Sequence, residues 1–394
     1  MSEKYMVEPD LQFIDDVMGL GGESLKKCFQ CATCSVACPI APENKPFPRK
    51  EMIAASWGLK DKLVGDGDIW LCHNCGDCST LCPRGAKPGD VLAALRLYAI
   101  TEYAKPKALG KMVNDPKKFW TLTAVPAVIF ALLAIMTIFG GSFMAGIFGG
   151  ELWYHTHDGN PFPGIAASNF ISSWFVDLIF VPLAIFVVTI FALGLKNFIA
   201  DMHKNALLEG KTAKDKIDVK EFLLALKKVL PTIAKHRQFT QCGENRERST
   251  AHMMVLFSFI GLFIVTSVVF VGVYFLHQGT PYSQLNPIKW LANVSGVALI
   301  IGGVLMVKQR FDKKEDQVST YKDWYLLGLV LTIGGTGMLT EMSRLAGSAF
   351  FCYTFYYVHL ISVFHLFAYL PYSKMAHIVY RTVAMTYAEY AERK

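Results

Sequence analysis

Eight cysteines in two matching runs constrain this chain more than any other feature of its sequence. The runs are Cys28, Cys31, Cys34 and Cys38-Pro39, then Cys72, Cys75, Cys78 and Cys82-Pro83. Each reads C-x2-C-x2-C-x3-C-P, a spacing in which three close cysteines bind one [4Fe–4S] cluster and the fourth crosses to a second cluster. The pattern predicts one cluster on Cys28, Cys31, Cys34 and Cys82, and another on Cys72, Cys75, Cys78 and Cys38.

Two other interpretations of these cysteines stay open at this point. Eight cysteines can form four disulfides, although crowded C-x2-C-x2-C spacing suits a metal better and no secretory signal precedes it. Structural zinc uses four ligands per site, and C-x2-C pairs can supply them. Zinc does not explain the third cysteine of each run or the repeated Cys-Pro, so iron–sulfur clusters are the favoured prediction.

The segments around the second run indicate how the cysteines are presented. Residues 39–71 form a long gap that contains a helix-like run over 49–63, and another such run covers 89–103. We therefore predict a helical iron–sulfur domain over residues 1–104, and not the compact β-rich kind.

The composition of the chain indicates a membrane protein. Of its 394 residues, 53% are hydrophobic, and the mean hydropathy is +0.32, which is too apolar for an ordinary soluble domain. The net charge of +7 would raise nucleic acid as a partner, but the Lys and Arg residues flank apolar segments. Membrane topology explains that placement better, so we predict membrane lipid and no nucleic acid as a partner.

Six apolar runs approach the roughly 20 residues that a spanning helix needs. We predict spans over residues 119–139, 170–195, 252–276, 290–307, 324–340 and 349–372. A basic linker over 105–118 would precede a membrane domain over 119–373, and a short amphipathic cytoplasmic tail over 374–394 would follow it. Trp120, Trp290 and Trp324 stand at span ends, as interfacial aromatic belts do.

The distribution of Lys and Arg sets the predicted orientation. The connections 196–251, 308–323 and 105–118 carry 12, 5 and 5 of these residues, whereas 140–169 carries none. The positive-inside rule then places both termini in the cytoplasm. The cysteine domain falls on the same side, in agreement with the lack of a signal-peptide pattern, so we expect a multi-pass protein of the cytoplasmic membrane.

Three histidines are candidate haem ligands, because ionisable groups inside spans usually have a function. His252 opens the third span at its cytoplasmic end, and His359 and His377 are 18 residues apart. On one continuous helix, His359 and His377 would share a face and lie about 27 Å apart along the axis. That separation suits two haems, one near each face of the bilayer, with His252 and His377 sharing the inner one. His365 lies off that face and is better explained as a polar residue bonded to a neighbour.

Glu341 and Arg344 are three residues apart at the outer end of the fifth span, so they can pair. Two interpretations stay open. The pair is a structural ion pair that caps the span, or it belongs to a quinone site in which Glu341 accepts a proton beside its counter-ion. In a variant of the second interpretation, Arg344 holds a haem propionate.

Two parts of the chain resemble known electron-transfer proteins. The stretch CFQCATCSVACP…CHNCGDCSTLCP resembles the small iron–sulfur subunit of heterodisulfide reductase. The stretch YVHLISVFHLFAYLPYSKMAHI resembles the last helix of the cytochrome b family typified by the nitrate reductase gamma subunit. In that family two haem-ligating histidines stand 18 residues apart on this helix.

The cytochrome b resemblance carries over to three histidines of this chain. His359 and His377 match the paired histidines, and His252 matches the first of two histidines on the partner helix. The second would fall at Leu262, which cannot bind iron. His277 is then the remaining candidate for the fourth axial ligand.

The fusion of both parts in one chain resembles the C subunits of quinone-interacting membrane-bound oxidoreductase complexes of sulfate-reducing prokaryotes. The resemblance implies an all-α fold: a helical two-cluster ferredoxin-like domain followed by a six-helix transmembrane cytochrome b bundle. It implies two [4Fe–4S] clusters, haem b and menaquinone as the membrane substrate. It also implies two heterodisulfide reductase A-like partner subunits that carry flavin and iron–sulfur clusters, with adenylylsulfate reductase as the eventual electron acceptor. The alternative is the membrane subunit of a heterodisulfide reductase or sulfite-reduction complex that acts on thiol or disulfide carriers.

Overall fold

The computed structural model describes residues 8–41, 46–154, 156, 159–210, 212–235, 246–312 and 319–391. Within those ranges the chain is helical and contains no β-strand, which confirms the predicted all-α fold. The α-helices are α1 (Leu11–Val17), α2 (Thr33–Val36), α3 (Arg49–Ser56), α4 (Lys60–Val64), α5 (Asp68–Leu71), α6 (Asp77–Thr80), α7 (Pro88–Tyr103), α8 (Lys107–Val113), α9 (Phe119–Phe148), α10 (Gly150–Tyr154), α11 (Ala167–Phe170), α12 (Ser173–Leu208), α13 (Val219–Ala234), α14 (Arg246–Tyr274), α15 (Pro287–Phe311), α16 (Tyr321–Leu345), α17 (Ala349–Tyr369) and α18 (His377–Tyr390).

Local chemistry fixes where several of these helices begin. Asp10 caps α1 by accepting a hydrogen bond from the Phe13 amide at 2.9 Å, and Asn286 caps α15 by accepting one from the amide two residues on. Thr320 and Asp323 form a reciprocal capping box at the start of α16. Each cap satisfies a backbone donor that the helix leaves unpaired, which contributes about 1 kcal/mol.

The iron–sulfur region gathers around α7. This helix begins with Pro88, whose missing N–H is not needed in the first turn, and most of its residues are buried. The shorter helices α1, α3, α4 and α5 pack against it, and Met52 and Trp70 are fully buried in the resulting core. The prediction of a helical domain without a β-rich core is confirmed for the residues described.

Six helices of the described chain are long and apolar enough to cross a membrane, in agreement with the predicted number. They are α9, α12, α14, α15, α16 and α17. Several extend beyond the predicted apolar runs, and α12 continues past Leu195 to Leu208. The apolar run ends where the side chains become polar. Polar residues also form helices, so the α-helix continues beyond the apolar run.

The sixth span covers the predicted residues 349–372, but its helix does not continue to His377. α17 stops at Tyr369, 3₁₀ turns follow, and α18 starts at His377. The prediction that His359 and His377 lie on one continuous helix is therefore wrong. Pro371 explains the break, because it lacks the N–H that would bond to the carbonyl four residues earlier. The axial separation of about 27 Å that one continuous helix would give therefore does not apply to His359 and His377.

The segments predicted as a linker and a tail are folded against the rest of the chain. α8 occupies much of the linker, and α18 occupies most of the tail. Tyr380 of α18 is 1% exposed and stacks on Trp70 of α5, with ring centroids 5.2 Å apart. Phe198, on the part of α12 beyond the predicted span, contacts both rings. The iron–sulfur region and the helical bundle therefore share one hydrophobic core.

Replacing Tyr380 with Ala should loosen this shared core. The ring contacts Trp70, Tyr103 and Phe198, and removing a buried aromatic side chain costs about 3–5 kcal/mol. We expect a lower thermal unfolding midpoint for the detergent-purified full chain, together with earlier loss of visible iron–sulfur absorption. Glu389→Ala is the matched control on α18, because Glu389 is exposed and its ion pair lies at the surface. Equal midpoints for the two variants would contradict a shared core.

Candidate redox site

The two cysteine runs adopt the same backbone conformation. Gln30 and Asn74, each two residues after the first cysteine of a run, have φ of 60° and 54°. Ala32 and Gly76, each one residue after the second cysteine, have φ of 69° and 98°, and a short helix follows in both runs. Left-handed conformations at non-glycine residues are uncommon and persist where the surrounding structure requires them. The repeat in the sequence is therefore also a repeat in the structure.

The thiols of each run lie close to the last cysteine of the other run. The interacting thiols are Cys28, Cys31, Cys34 and Cys82 in one group, and Cys38, Cys72 and Cys78 in the other. Cys34 and Cys78 also interact with each other, so the two groups are neighbours. Cys75, the remaining predicted ligand of the second group, is buried. Cys78 interacts with Cys34 more strongly than with Cys38, so the interactions show that the two runs are close together, and the crossed ligand sets stay a prediction.

The chemistry of these thiols suits metal clusters. All eight cysteines are outside disulfides, which removes that alternative. Burial, with the neighbouring thiolates, raises the pKa of Cys34 to about 11 and the pKa of Cys78 to about 12. Thiols crowded in this way stay protonated unless a bound cation compensates the thiolate charge, as iron in a cluster does. Thiolate is also the ligand by which iron–sulfur clusters are held.

A cavity of about 320 Å³ lies between the iron–sulfur region and the helical bundle. His252 from α14 and His377 from the start of α18 both line it, and so do Cys72 and His73 of the second cysteine run. Apart from His252 and Asp323, the side chains that α14 and α16 contribute are apolar: Val255, Leu256, Phe259, Leu326, Leu327 and Val330. The structure thus brings together the two histidines predicted to share a haem, beside a predicted cluster ligand.

His377 is held in the form that binds a metal. Its Nδ1 lies 2.7 Å from the carbonyl oxygen of Lys374. A carbonyl only accepts hydrogen bonds, so Nδ1 carries the proton and Nε2 has a lone pair available for a ligand bond. Burial, with a smaller contribution from the charges of Arg381, Lys374 and Arg96, lowers the pKa of His377 to about 3. Metal-binding histidines typically donate their other ring N–H in this way.

Four basic side chains around the cavity were not predicted from the sequence. They are Arg96 of α7, Arg310 of α15, Lys374 of the 3₁₀ turn before α18, and Arg381 of α18. Asp323 is the one acidic residue among the described lining residues, and it pairs with both Arg310 and Lys374. The excess of positive charge suits a ligand that carries carboxylates. These residues come from separate parts of the chain, so no local sequence pattern reveals them.

His359 and His277, the other predicted haem ligands, lie outside this cavity. Nδ1 of His359 is 3.1 Å from both the Ile333 carbonyl and the Thr336 hydroxyl. Its ring rests on Gly337, where an added Cβ would meet Cε1 at 3.2 Å. His277 is exposed in a left-handed turn after α14, with φ of 51°. The second haem therefore stays a prediction.

Glu341 and Arg344, the candidate quinone-site residues, belong to a larger ion-pair network. Arg344 donates from Nη2 to Oε1 of Glu341 at 2.8 Å and from Nε to Oε2 at 3.2 Å. Lys289 lies 2.8 Å from Oε2, and Gln284 also donates to Oε1. Both carboxylate oxygens therefore have donors, which favours the structural ion pair of the two interpretations. The quinone role stays a prediction.

Comparison with known proteins agrees with the chemistry of the iron–sulfur region. A family model described as a 4Fe-4S dicluster domain matches residues 24–86, which contain both cysteine runs. The C subunit of the H(2):CoB-CoM heterodisulfide,ferredoxin reductase of Methanothermobacter marburgensis is 38% identical over 107 residues, covering 26% of this chain and 58% of that protein. A protein of Archaeoglobus profundus, named for its likeness to the C subunit of heterodisulfide reductase, is 33% identical over 105 residues, covering 26% and 56%.

A third relative extends the same picture. The second iron–sulfur C subunit of the CoB--CoM heterodisulfide reductase of Methanocaldococcus jannaschii is 35% identical over 100 residues, covering 23% of this chain and 53% of that protein. The chain thus spans a little over half the length of these curated relatives, and no solved structure matches it. The iron–sulfur region is an electron-transfer module related to the C subunit of heterodisulfide reductase.

Cluster-selective variants test the crossed ligand sets. If the last cysteine of each run crosses over, Cys82→Ser and Cys31→Ser should remove the same EPR signal from the reduced full chain. Cys38→Ser and Cys75→Ser should remove the other signal, because each variant breaks one of four thiolate bonds to one cluster. Iron analysis should show loss of about four of the eight irons in each case. If Cys82→Ser and Cys75→Ser remove the same EPR signal, the crossed ligand sets are excluded.

Proposed function

We propose that this chain carries electrons between a quinol in the membrane and soluble flavin and iron–sulfur partner subunits, through haem b and two [4Fe–4S] clusters. Menaquinone is the proposed membrane substrate. Two heterodisulfide reductase A-like subunits are the proposed partners, and adenylylsulfate reductase is the proposed acceptor. One observation carries the proposal: a single cavity is lined by the imidazoles of His252 on the spanning helix α14 and of His377 on α18, and by Cys72 and His73 of the iron–sulfur region.

The residues around the cavity fit haem b. Haem b presents an apolar ring system, two carboxylates and an iron that takes axial ligands such as histidine. The cavity offers His252 and His377 on different helices, apolar walls from α14 and α16, and four basic side chains. When bound, the haem supplies one-electron chemistry, and the protein supplies its position and its electrostatic surroundings.

The chain's own residues have distinct roles in this proposal. His252 and His377 would ligate the iron, and the Lys374 carbonyl orients the His377 ring through Nδ1. Arg310 and Lys374 would hold the propionates, since Asp323 fixes both of them at the cavity. The apolar side chains of α14 and α16 exclude water from the ring system.

The proposed exchange conserves electrons and protons. Oxidation of a quinol releases two electrons and two protons, and the protons leave in the membrane domain. The electrons pass singly to the iron–sulfur region, where no bond forms or breaks. The same path serves quinone reduction when electrons enter from the partner subunits.

We propose a cytoplasmic location for the iron–sulfur region, together with the domain limits 1–104, 105–118, 119–373 and 374–394. Its contacts with the helical bundle support that location. The iron–sulfur region faces the helix ends that lead into basic connections, where Phe198 lies beyond the second span and Arg310 lies at the end of α15. Basic connections stay in the cytoplasm.

A fusion after Lys394 tests this orientation. A reporter that is active only outside the cytoplasm should stay silent there, because the six spans return the chain to the side on which it starts. The same reporter inserted in the connection 277–289 should be active and serves as the positive control. Activity of the C-terminal fusion would overturn the proposed topology.

The relatives' names motivate one alternative function, in which the chain serves a heterodisulfide reductase complex acting on thiol or disulfide carriers. Anaerobic mixing of the purified full chain with a menaquinol analogue separates the two. Reduction of bound haem, seen in optical difference spectra, supports the quinone proposal. Haem that stays oxidised with menaquinol but is reduced by a dithiol carrier favours the alternative.

Variants of the histidines test the haem assignment. His252→Ala and His377→Ala should each remove the same haem, because each deletes one of two axial ligands in one cavity. His359→Ala should spare that haem and remove the second one. Haem content and the EPR spectrum of the oxidised protein report the outcome. His365→Ala is the control for general damage, since His365 is a buried histidine that bonds to Tyr325 and does not line the cavity. Loss of different haems in His252→Ala and His377→Ala would refute the pairing.

A further inference from the structure

We infer that the two clusters act in a fixed order. The inner cluster, bound by Cys72, Cys75, Cys78 and Cys38, exchanges electrons with the membrane cavity, and the outer cluster, bound by Cys28, Cys31, Cys34 and Cys82, exchanges them with the aqueous side. The inference rests on the proposed function and adds to it. The two runs have the same spacing, so their sequence pattern alone does not order them.

The inner cluster is the one that adjoins the cavity. Cys72, His73 and Asn74 line the cavity together with His252 and His377, and no residue of the first run or Cys82 is among the described lining residues. Electron transfer weakens steeply with distance, so a donor between the two histidines would reach the inner cluster first.

Arg381 connects the cavity to the inner cluster directly. It lines the cavity, and its Nη1 donates a hydrogen bond to the Cys72 carbonyl at 3.3 Å. Its charge also acts on His377. Cys72 is itself a predicted cluster ligand, so the Arg381 hydrogen bond connects α18 to that ligand directly. The backbone amide of Asn74 also donates to Cys72 Sγ at 3.3 Å. Arg381 is therefore a positioning residue for the inner cluster.

The outer cluster is the one that reaches the surface. Cys31 is exposed, whereas Cys75 and Cys78 of the inner set are buried. The thiols of Cys34 and Cys78 interact across the boundary between the two sets, and α2 packs against α6 there. An electron can therefore pass from the inner to the outer cluster without leaving the domain.

The surface beside the outer cluster is apolar with basic neighbours. Phe29 is 67% exposed, Val36 87% and Leu81 58%. Arg84 lies over the Phe29 ring at 3.9 Å, and Arg49 donates to the Gln30 carbonyl. Phe29 and Leu81 adjoin the predicted ligands Cys28 and Cys82 in the chain, in agreement with electron exit to a soluble partner at this point.

Each transfer in this order moves one electron and no atoms. Quinol oxidation supplies the electron on the membrane side. The inner cluster is reduced by one electron and is then reoxidised as the outer cluster is reduced. The proposed soluble partner finally accepts the electron. The order is the same when the direction is reversed.

Potentiometric EPR titration of the full chain tests the role of Arg381. A reduced cluster carries one more negative charge, so loss of a nearby cation makes reduction harder. Arg381→Gln should lower the midpoint potential of the inner cluster, identified as the signal that Cys38→Ser removes, and should leave the outer cluster unchanged. Arg381→Lys keeps the charge and should restore most of the shift. Arg84→Gln, at the outer surface, should leave the inner potential unchanged. A shift confined to the outer cluster, or no shift in Arg381→Gln, would overturn the assignment.

Two measurements on the wild-type chain test the order without any variant at Arg381. A water-soluble gadolinium chelate should speed the EPR relaxation of the outer cluster more than that of the inner one. After mixing with a menaquinol analogue and rapid freezing, the inner signal should appear before the outer signal. The reverse order in either measurement contradicts the inference.

Matched cysteine variants separate this inference from the proposed function. With the menaquinol analogue, Cys82→Ser should still allow the inner cluster to be reduced, whereas Cys38→Ser should leave the outer cluster oxidised. Reduction of the outer cluster in Cys38→Ser would overturn the order. A wild-type chain without haem would refute the proposed function, but the gadolinium and Arg381 results would still decide which cluster lies inside.

Discussion

The packing of α18 between the iron–sulfur region and the helical bundle is the interaction on which the rest of the structure depends. Tyr380 stacks on Trp70, two residues before the first cysteine of the second run, and Phe198 of α12 closes the same core. Because α18 is held there, its first residue, His377, reaches the cavity that His252 lines from α14. One packed helix therefore sets the distance between the cavity proposed to hold a haem and Cys72, a predicted cluster ligand.

Charge is the second constraint on the cavity. Arg96, Arg310, Lys374 and Arg381 face it with Asp323 as their acidic counterpart among the described lining residues. Basic groups gathered at a largely apolar cavity are unfavourable without compensating anions. The two propionates of a haem would supply that charge. Burial, and to a smaller extent the same cations, lowers the pKa of His377 and keeps its ring neutral, as a metal ligand requires.

The sequence was sufficient for the features that have a local signature. The cysteine spacing, the six apolar runs and the helical character of the first domain are all visible as patterns within short windows. The sharing of one haem by His252 and His377 stays a prediction. The structure places both histidines at one cavity, but the argument that led to the prediction is only partly right. It assumed one helix through Pro371, whereas the chain breaks there and His377 begins a new helix.

The features that escaped prediction depend on tertiary contacts. The residues of α18 look like a polar tail because its buried tyrosines alternate with charged residues, and only Trp70 and Phe198 reveal what they pack against. The cationic residues of the cavity come from three helices and a 3₁₀ turn, so no window of sequence contains them together. Glu341 could be predicted to pair with Arg344, but its contacts with Lys289 and Gln284 come from the start of α15 and the folded connection before it.

The central claim is that a histidine-ligated haem and an iron–sulfur cluster occupy adjoining sites in one folded unit. A combined optical and EPR redox titration of the purified full chain, with iron, zinc and haem analysis, tests it most directly. The account predicts about eight non-haem irons in two [4Fe–4S] clusters and a low-spin haem with two imidazole ligands. It also predicts that reduction of one cluster broadens or speeds the relaxation of the haem signal. Zinc in place of iron, a chain without haem, or a haem signal indifferent to both clusters would contradict it.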